Sequence, residues 1–190
     1  ADVERQSHFG PFMDLGLLLV LSLILVFIVM ASQFESFTMP FVIMFSIPFA
    51  FTGVIYALFL TGTTLSVVAA LGAVLLVGIV VKNGIVLIDF TNLMRDRGFE
   101  LYEAIALSGK SRLRPVLMTA MTTILGMLPL ALSQGEGSEI WRPMGITVIG
   151  GLVFSTIVTM VIVPVMYGIF ARKGERNKQL KVRKQFQFMD

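Results

Sequence analysis

Five separate stretches of this chain each run for about twenty residues with scarcely a charged side chain, and that pattern dictates the solvent. They fall at residues 12–33, 39–60, 65–92, 116–132 and 144–170. An α-helix rises about 1.5 Å per residue, so about 20 apolar residues cross the roughly 30 Å hydrocarbon layer of a bilayer. A soluble chain of 190 residues could not hide them, because 56% of its residues are hydrophobic and only 14% are charged. A domain of that size leaves too many side chains facing water. The predicted fold is an all-α membrane protein, a bundle of about five transmembrane helices.

The links between the stretches are short. Residues 34–38 and 61–64 leave room only for tight turns, so the first three spans pack as antiparallel neighbours. The link before residue 116 is longer and polar, and Leu101, Ile105 and Leu107 are spaced for a short amphipathic cytoplasmic helix lying along the membrane surface. Residues 133–143 form a Gly-rich link in which Trp141 is placed as an interfacial anchor. None of these links can hold a substrate-binding domain.

Charge sets the orientation. The link between the third and fourth spans holds five Lys and Arg residues through Arg114, and the tail after Phe170 holds seven. The opposite side holds only Arg5 and Arg142. Basic residues favour the cytoplasmic side, which puts the C-terminus inside and the N-terminus outside. The net charge of +3 belongs to this asymmetry, and the expected partner is the lipid bilayer rather than nucleic acid. The first residues carry neither an initiator Met nor a signal-peptide pattern. The expected organisation is the end of a missing periplasmic domain over 1–11, a five-helix bundle over 12–172, and a basic cytoplasmic tail over 173–190.

Few residues can carry chemistry. Cysteine is absent and the single histidine, His8, lies outside every apolar run, so neither a disulfide framework nor a metal site is expected. No span holds paired aspartates, a Ser with a His, or two metal ligands at helical spacing, so an enzyme is not expected either. Lys82 is different, because it interrupts the third apolar run, where a charge costs a few kcal/mol even on the lenient insertion scale. Its stem could snorkel to the cytoplasmic interface about 15 Å away, or it could form an ion pair or proton relay inside the bundle. Asn83 and Asp89 are secondary candidates. Asp89 lies seven residues on, on nearly the same face and about 10.5 Å along the axis, too far for direct pairing; it also reads as an ordinary helix-end residue.

A buried lysine without a partner would lose its proton, and the only carboxylate on another span is Asp14, at the outer end of the first. The partner of Lys82 is therefore expected on another polypeptide or a missing half. Arg112 and Thr119, also seven apart, share a face of the fourth helix; they read equally as a basic anchor and a threonine bonded to its own backbone. In the fifth span Thr147, Gly151, Ser155 and Thr159 recur every four residues, a stripe that lets another helix approach closely.

The run from Gly78 through Lys82, Asn83 and Gly84 to Asp89 and Phe90 is followed by Arg112-Leu-Arg-Pro-Val-Leu-Met-Thr119 and by Gly126-Met-Leu-Pro-Leu130. Together they resemble the C-terminal half of the resistance-nodulation-division (RND) family of efflux transporters. The resemblance covers nearly the whole chain and implies that its spans are the eighth to twelfth of twelve. The first seven and two large periplasmic domains would then be missing. It also implies that Lys82 pairs with two adjacent aspartates of the missing N-terminal half, and that Arg112 and Thr119 belong to the same proton relay. The parent it implies is a drug/proton antiporter of the bacterial inner membrane, linked to multidrug resistance. It would be a homotrimer working with a periplasmic adaptor and an outer-membrane channel, with protons as coupling ion and no cofactor. Two other readings stay open: the same helices serving metal-ion export, lipid transport or protein translocation, and a structural half-module that transports nothing.

Overall fold

A computed structural model describes the backbone of residues 2–187 and the side chains of residues 10–172. The side chains of the expected basic tail at 173–190, and of residues 1–9, lie outside the described residues. Six helices follow one another: α1 (Asp2–Phe34), α2 (Thr38–Met44), α3 (Ile47–Thr61), α4 (Val67–Asp96), α5 (Leu101–Leu132) and α6 (Ser138–Gln187). Among the described residues, five segments are long and apolar enough to cross a membrane: Gly10–Phe34, Thr38–Thr61, Val67–Asp96, Leu101–Leu132 and Ser138–Arg172. The all-α bundle expected from the sequence is what forms.

Local chemistry sets the turns. At the end of α3, Gly62 takes a left-handed conformation (φ 62°), and its N–H and that of Thr63 donate to the carbonyls of Phe59 and Leu58. Gly98 closes α4 in the same way, with φ 92°. A residue with a Cβ is strained in that region, which is why glycine stands at both stops. The next helix after Gly62 is capped by Ser66, whose hydroxyl accepts from the Ala69 N–H at 3.1 Å.

Two helices depart from the expected outline. The second span is interrupted at Phe45 and Ser46, between α2 and α3. Pro48 has no N–H to offer the Met44 carbonyl. Next to that gap the Ser46 N–H and hydroxyl both turn back to the Ile43 carbonyl, the hydroxyl at 2.6 Å. The amphipathic segment around Leu101–Ile105 is not a separate helix on the membrane surface; it is the first part of an unbroken α5 that runs through Pro115. Ala104 and Ser108 are fully buried there, so this segment packs on the bundle. At 32 residues, or about 48 Å, α5 is longer than the hydrocarbon layer is thick.

α6 lies at the centre, against α3, α4 and α5, while α1 packs mainly on α2 and α4 at the edge of the bundle. Lipid tails are as apolar as leucine side chains, so helices associate in a bilayer mainly through close van der Waals packing. Small residues supply that closeness. A Cβ on Gly53 of α3 would stand 3.0 Å from the Gly150 carbonyl oxygen of α6, and one on Gly72 of α4 would stand 3.2 Å from the Met144 carbonyl oxygen. Thr147, Gly151, Ser155 and Thr159 are all buried along α6, and a side chain on Gly151 would collide with Leu76 and Val54.

The core has two parts. Around Leu87, Ile88, Val163 and Tyr167, residues of α1, α2, α3, α4 and α6 fill the end of the bundle where Arg95, Arg97 and Arg172 lie. Nearer the other end, Ala50, Val54, Leu76, Ala131 and Leu152 join α3, α4, α5 and α6.

Candidate functional site: the Lys82 face of α4

α4 has two unlike faces. Gly72, Leu76, Val80, Gly84, Leu87, Thr91 and Met94 are buried against neighbouring helices, whereas Leu71, Leu75, Gly78, Lys82, Asp89 and Leu93 are exposed. The exposed positions recur three, four or seven residues apart, which is one continuous stripe on a helix. Lys82 is central in that stripe, flanked in sequence by the buried Val81 and Asn83. Asp89 shares the stripe two turns away. Neither Lys82 nor Asp89 forms a hydrogen bond or ion pair among the described residues.

Arg112 comes from the neighbouring α5. Its half-buried guanidinium stands over the Phe90 ring of α4, 4.5 Å from the centroid. That distance suits a cation–π contact, in which the negative face of the ring stabilises the positive charge. The Arg112 Nε is buried without a hydrogen-bond partner. Helical side chains lean toward the N-terminus of their own helix, so Arg112 reaches toward the basic end of the bundle and Phe90.

The register between α4 and α5 follows from one contact: the Ser108 hydroxyl donates to the Leu87 carbonyl at 2.9 Å. Five residues back along α4 from Leu87, about 7.5 Å, this antiparallel register puts Lys82 level with the Arg112–Leu113 backbone. Thr119 lies about two turns beyond, exposed, with its hydroxyl donating to the Pro115 carbonyl of its own helix at 2.9 Å. Thr122 does the same to Met118 at 2.8 Å. A hydroxyl bonded in this way keeps its lone pairs available as acceptors. Lys82, Arg112 and Thr119 thus sit on adjacent helices, but no direct bond joins them.

Four contributing residues are not singled out by sequence reasoning. Phe90 reads as filler in an apolar run, and Ser108 as a polar residue in a link. Tyr167 passes as one more apolar residue of the fifth span and Asn92 marks the end of the third, yet the Tyr167 hydroxyl donates to Asn92 Oδ1 at 2.6 Å across 75 residues of sequence. The usable signal was a polar side chain recurring on an otherwise apolar helix face, as Thr91 and Ser108 do.

Comparison with known proteins gives this geometry a context. Residues 12–171 match the AcrB/AcrD/AcrF family. The chain is 42% identical over 162 residues to the swarming motility protein SwrC of Bacillus subtilis, covering 85% of this chain and 15% of that protein. It is 40% identical over 154 residues to the cobalt-zinc-cadmium resistance protein CzcA of Cupriavidus metallidurans, covering 81% of this chain and 14% of that one. The crystal structure of a heavy metal efflux pump superposes with a TM-score of 0.75 at 35% identity, over 83% of this chain and 15% of the pump. The chain therefore spans about one-seventh of the curated relatives it matches. With the family match running through all five membrane-length helices found among the described residues, it belongs to the AcrB/AcrD/AcrF family of RND transporters.

Proposed function

We propose that the protein containing this chain is a proton-driven exporter of the bacterial inner membrane, in which Lys82 is the cationic member of an intramembrane proton relay. The observation that carries this reading is the isolation of Lys82: an exposed ammonium on an apolar helix face, with no carboxylate partner among the described residues. In hydrocarbon such a group needs an anion. A carboxylate from another part of the protein, set against this stripe, would attract Lys82 when ionised and release it when protonated. The relative position of the two helix groups would then follow the proton.

Arg112 supports the relay as a permanent positive charge held by Phe90 rather than neutralised by an acid. Thr119 supplies a hydroxyl on the same side of α5. The basic end faces the cytoplasm, and the whole protein acts as an oligomer with a periplasmic adaptor and an outer-membrane channel. Amphiphilic drugs are the first cargo class this reading offers. Metal cations are the second, favoured by the 40% identity to a cobalt-zinc-cadmium resistance protein.

Cells expressing the full-length protein test both points. Efflux of a cationic dye and tolerance to zinc, cobalt and cadmium are compared for the wild type and Lys82→Met at matched membrane levels. The reading requires that Lys82→Met abolish whichever activity the wild type shows. Undiminished export with Lys82→Met would refute it.

A further inference from the structure

The back of α4 is held by polar contacts that the relay does not itself use. The Leu87 carbonyl oxygen accepts from the Ser108 hydroxyl of α5 at 2.9 Å and from the Thr91 hydroxyl of α4 at 2.8 Å. One turn on, Tyr167 of α6 donates to Asn92 at 2.6 Å. Ser108 is 0% and Thr91 4% exposed, so their bonds to Leu87 are sheltered from both lipid and water, while the buried Tyr167 hydroxyl reaches a half-buried Asn92. The Arg112–Phe90 contact lies between them. Within two turns α4 is therefore tied to both of its large neighbours.

Their placement around the helix is the informative part. At about 100° per residue, Thr91 lies about 180° and Leu87 about 140° from Lys82. The Ser108 tie holds the side of α4 opposite the lysine, and the Tyr167 tie, at Asn92 about 80° round from Lys82, holds its flank. Directional hydrogen bonds in an apolar setting add to the close packing at Gly72 and Gly84 in fixing the rotation and height of the helix.

We propose that the Ser108–Leu87 and Tyr167–Asn92 hydrogen bonds form a positioning clamp. It binds the basic ends of α4, α5 and α6 into one body and sets the direction in which Lys82 faces its carboxylate partner. Ser108, Asn92 and Tyr167 are positioning residues, since none of them touches Lys82. This inference rests on the proton-relay reading and adds to it the device that aims the lysine.

The test is the pH dependence of proton-coupled transport by the full-length protein in proteoliposomes, for the wild type, Tyr167→Phe, Asn92→Leu and Ser108→Ala. Lysine close to a carboxylate favours its ionised form. A loosened α4 weakens that effect and makes the carboxylate easier to protonate, so the midpoint of the pH profile moves upward by about half a unit. Among the described side chains, the charged groups on the helices around the clamp are Lys82, Asp89, Arg95 and Asp96 of α4, Glu103, Lys110, Arg112 and Arg114 of α5, and Arg172 of α6, with Glu139 and Arg142 at the far end of α6. α2 and α3 carry no Asp, Glu, Lys, Arg or His, and the acid of α1 within the span, Asp14, lies at the other end. Every variant keeps all of these charges.

Because the tyrosine and asparagine form one bond, the Tyr167→Phe/Asn92→Leu double variant shifts the midpoint no further than either single change, while adding Ser108→Ala shifts it more. A rate lowered equally at every pH, with the midpoint in place, means ordinary structural bonds and overturns the clamp. Transport that survives Lys82→Met overturns the relay reading and the clamp with it. An unshifted midpoint in a protein that still requires Lys82 overturns the clamp alone.

Discussion

The two faces of α4 are built from similar residues and do different things. The buried face carries Gly72, Leu76, Val80, Gly84 and Leu87, and the exposed one Leu71, Leu75, Gly78 and Leu93. Hydropathy hardly separates them, because lipid and protein interior are equally apolar. What separates them is what lies opposite each glycine. A Cβ on Gly84 would come 2.8 Å from Ile43 Cγ2, whereas one on Gly78 would meet nothing within 4 Å. The exposed face also carries the helix's central charge, Lys82, and the buried face carries the hydrogen bonds. One side of α4 holds this bundle together, and the other is prepared for something beyond it.

Substitutions at the two glycines sharpen that contrast most. Gly84→Leu should destabilise the protein by about 1–3 kcal/mol through overpacking against α2, read as a lower thermal midpoint in detergent. Gly78→Leu should change stability by less than about 0.5 kcal/mol within this bundle yet lower transport if, as proposed, this face meets the carboxylate partner of Lys82. Equal losses of stability at both positions would erase the distinction between the faces.

Arg112→Lys comes next. Lysine keeps the charge but loses the planar group that stacks on Phe90. A stability loss of about 0.5–1 kcal/mol is expected, together with a several-fold fall in transport at unchanged expression. The smallest effect belongs to Asp14→Asn. Asp14 is exposed on α1 at the far end from Arg95 and Arg172, so stability should stay within about 0.5 kcal/mol and the transport rate should be unchanged. A marked loss of transport there would place the proton pathway on the wrong helix.

Much of the fold was legible because its causes are local. Apolar length gives the spans, Gly62 and Gly98 give two of the turns, and spacing by four gives the buried stripe from Thr147 to Thr159. The break at Phe45 and Ser46 was hidden because Pro48 lies two residues beyond it, inside a run that reads as one span. The continuity of α5 was hidden because the pattern of Leu101 and Ile105 fits a membrane surface as well as the flank of α6. At the site, Lys82 declared itself as a charge among apolar residues, and Arg112 by its spacing from Thr119 and by the family resemblance. Their surroundings did not, since the bonds of Ser108 to Leu87 and of Tyr167 to Asn92 join residues 21 and 75 positions apart. Only packing brings such pairs together.

The most direct test of the relay is substrate-dependent proton movement across proteoliposomes containing the full-length protein, followed with a pH-sensitive dye inside the vesicles. If Lys82 is the cation of the relay, wild-type protein moves protons when cargo is added, and Lys82→Met, at equal incorporation, moves none. Proton movement of equal rate with Lys82→Met would mean that the lysine only snorkels to the interface, and that the proton takes a route this face of α4 does not form.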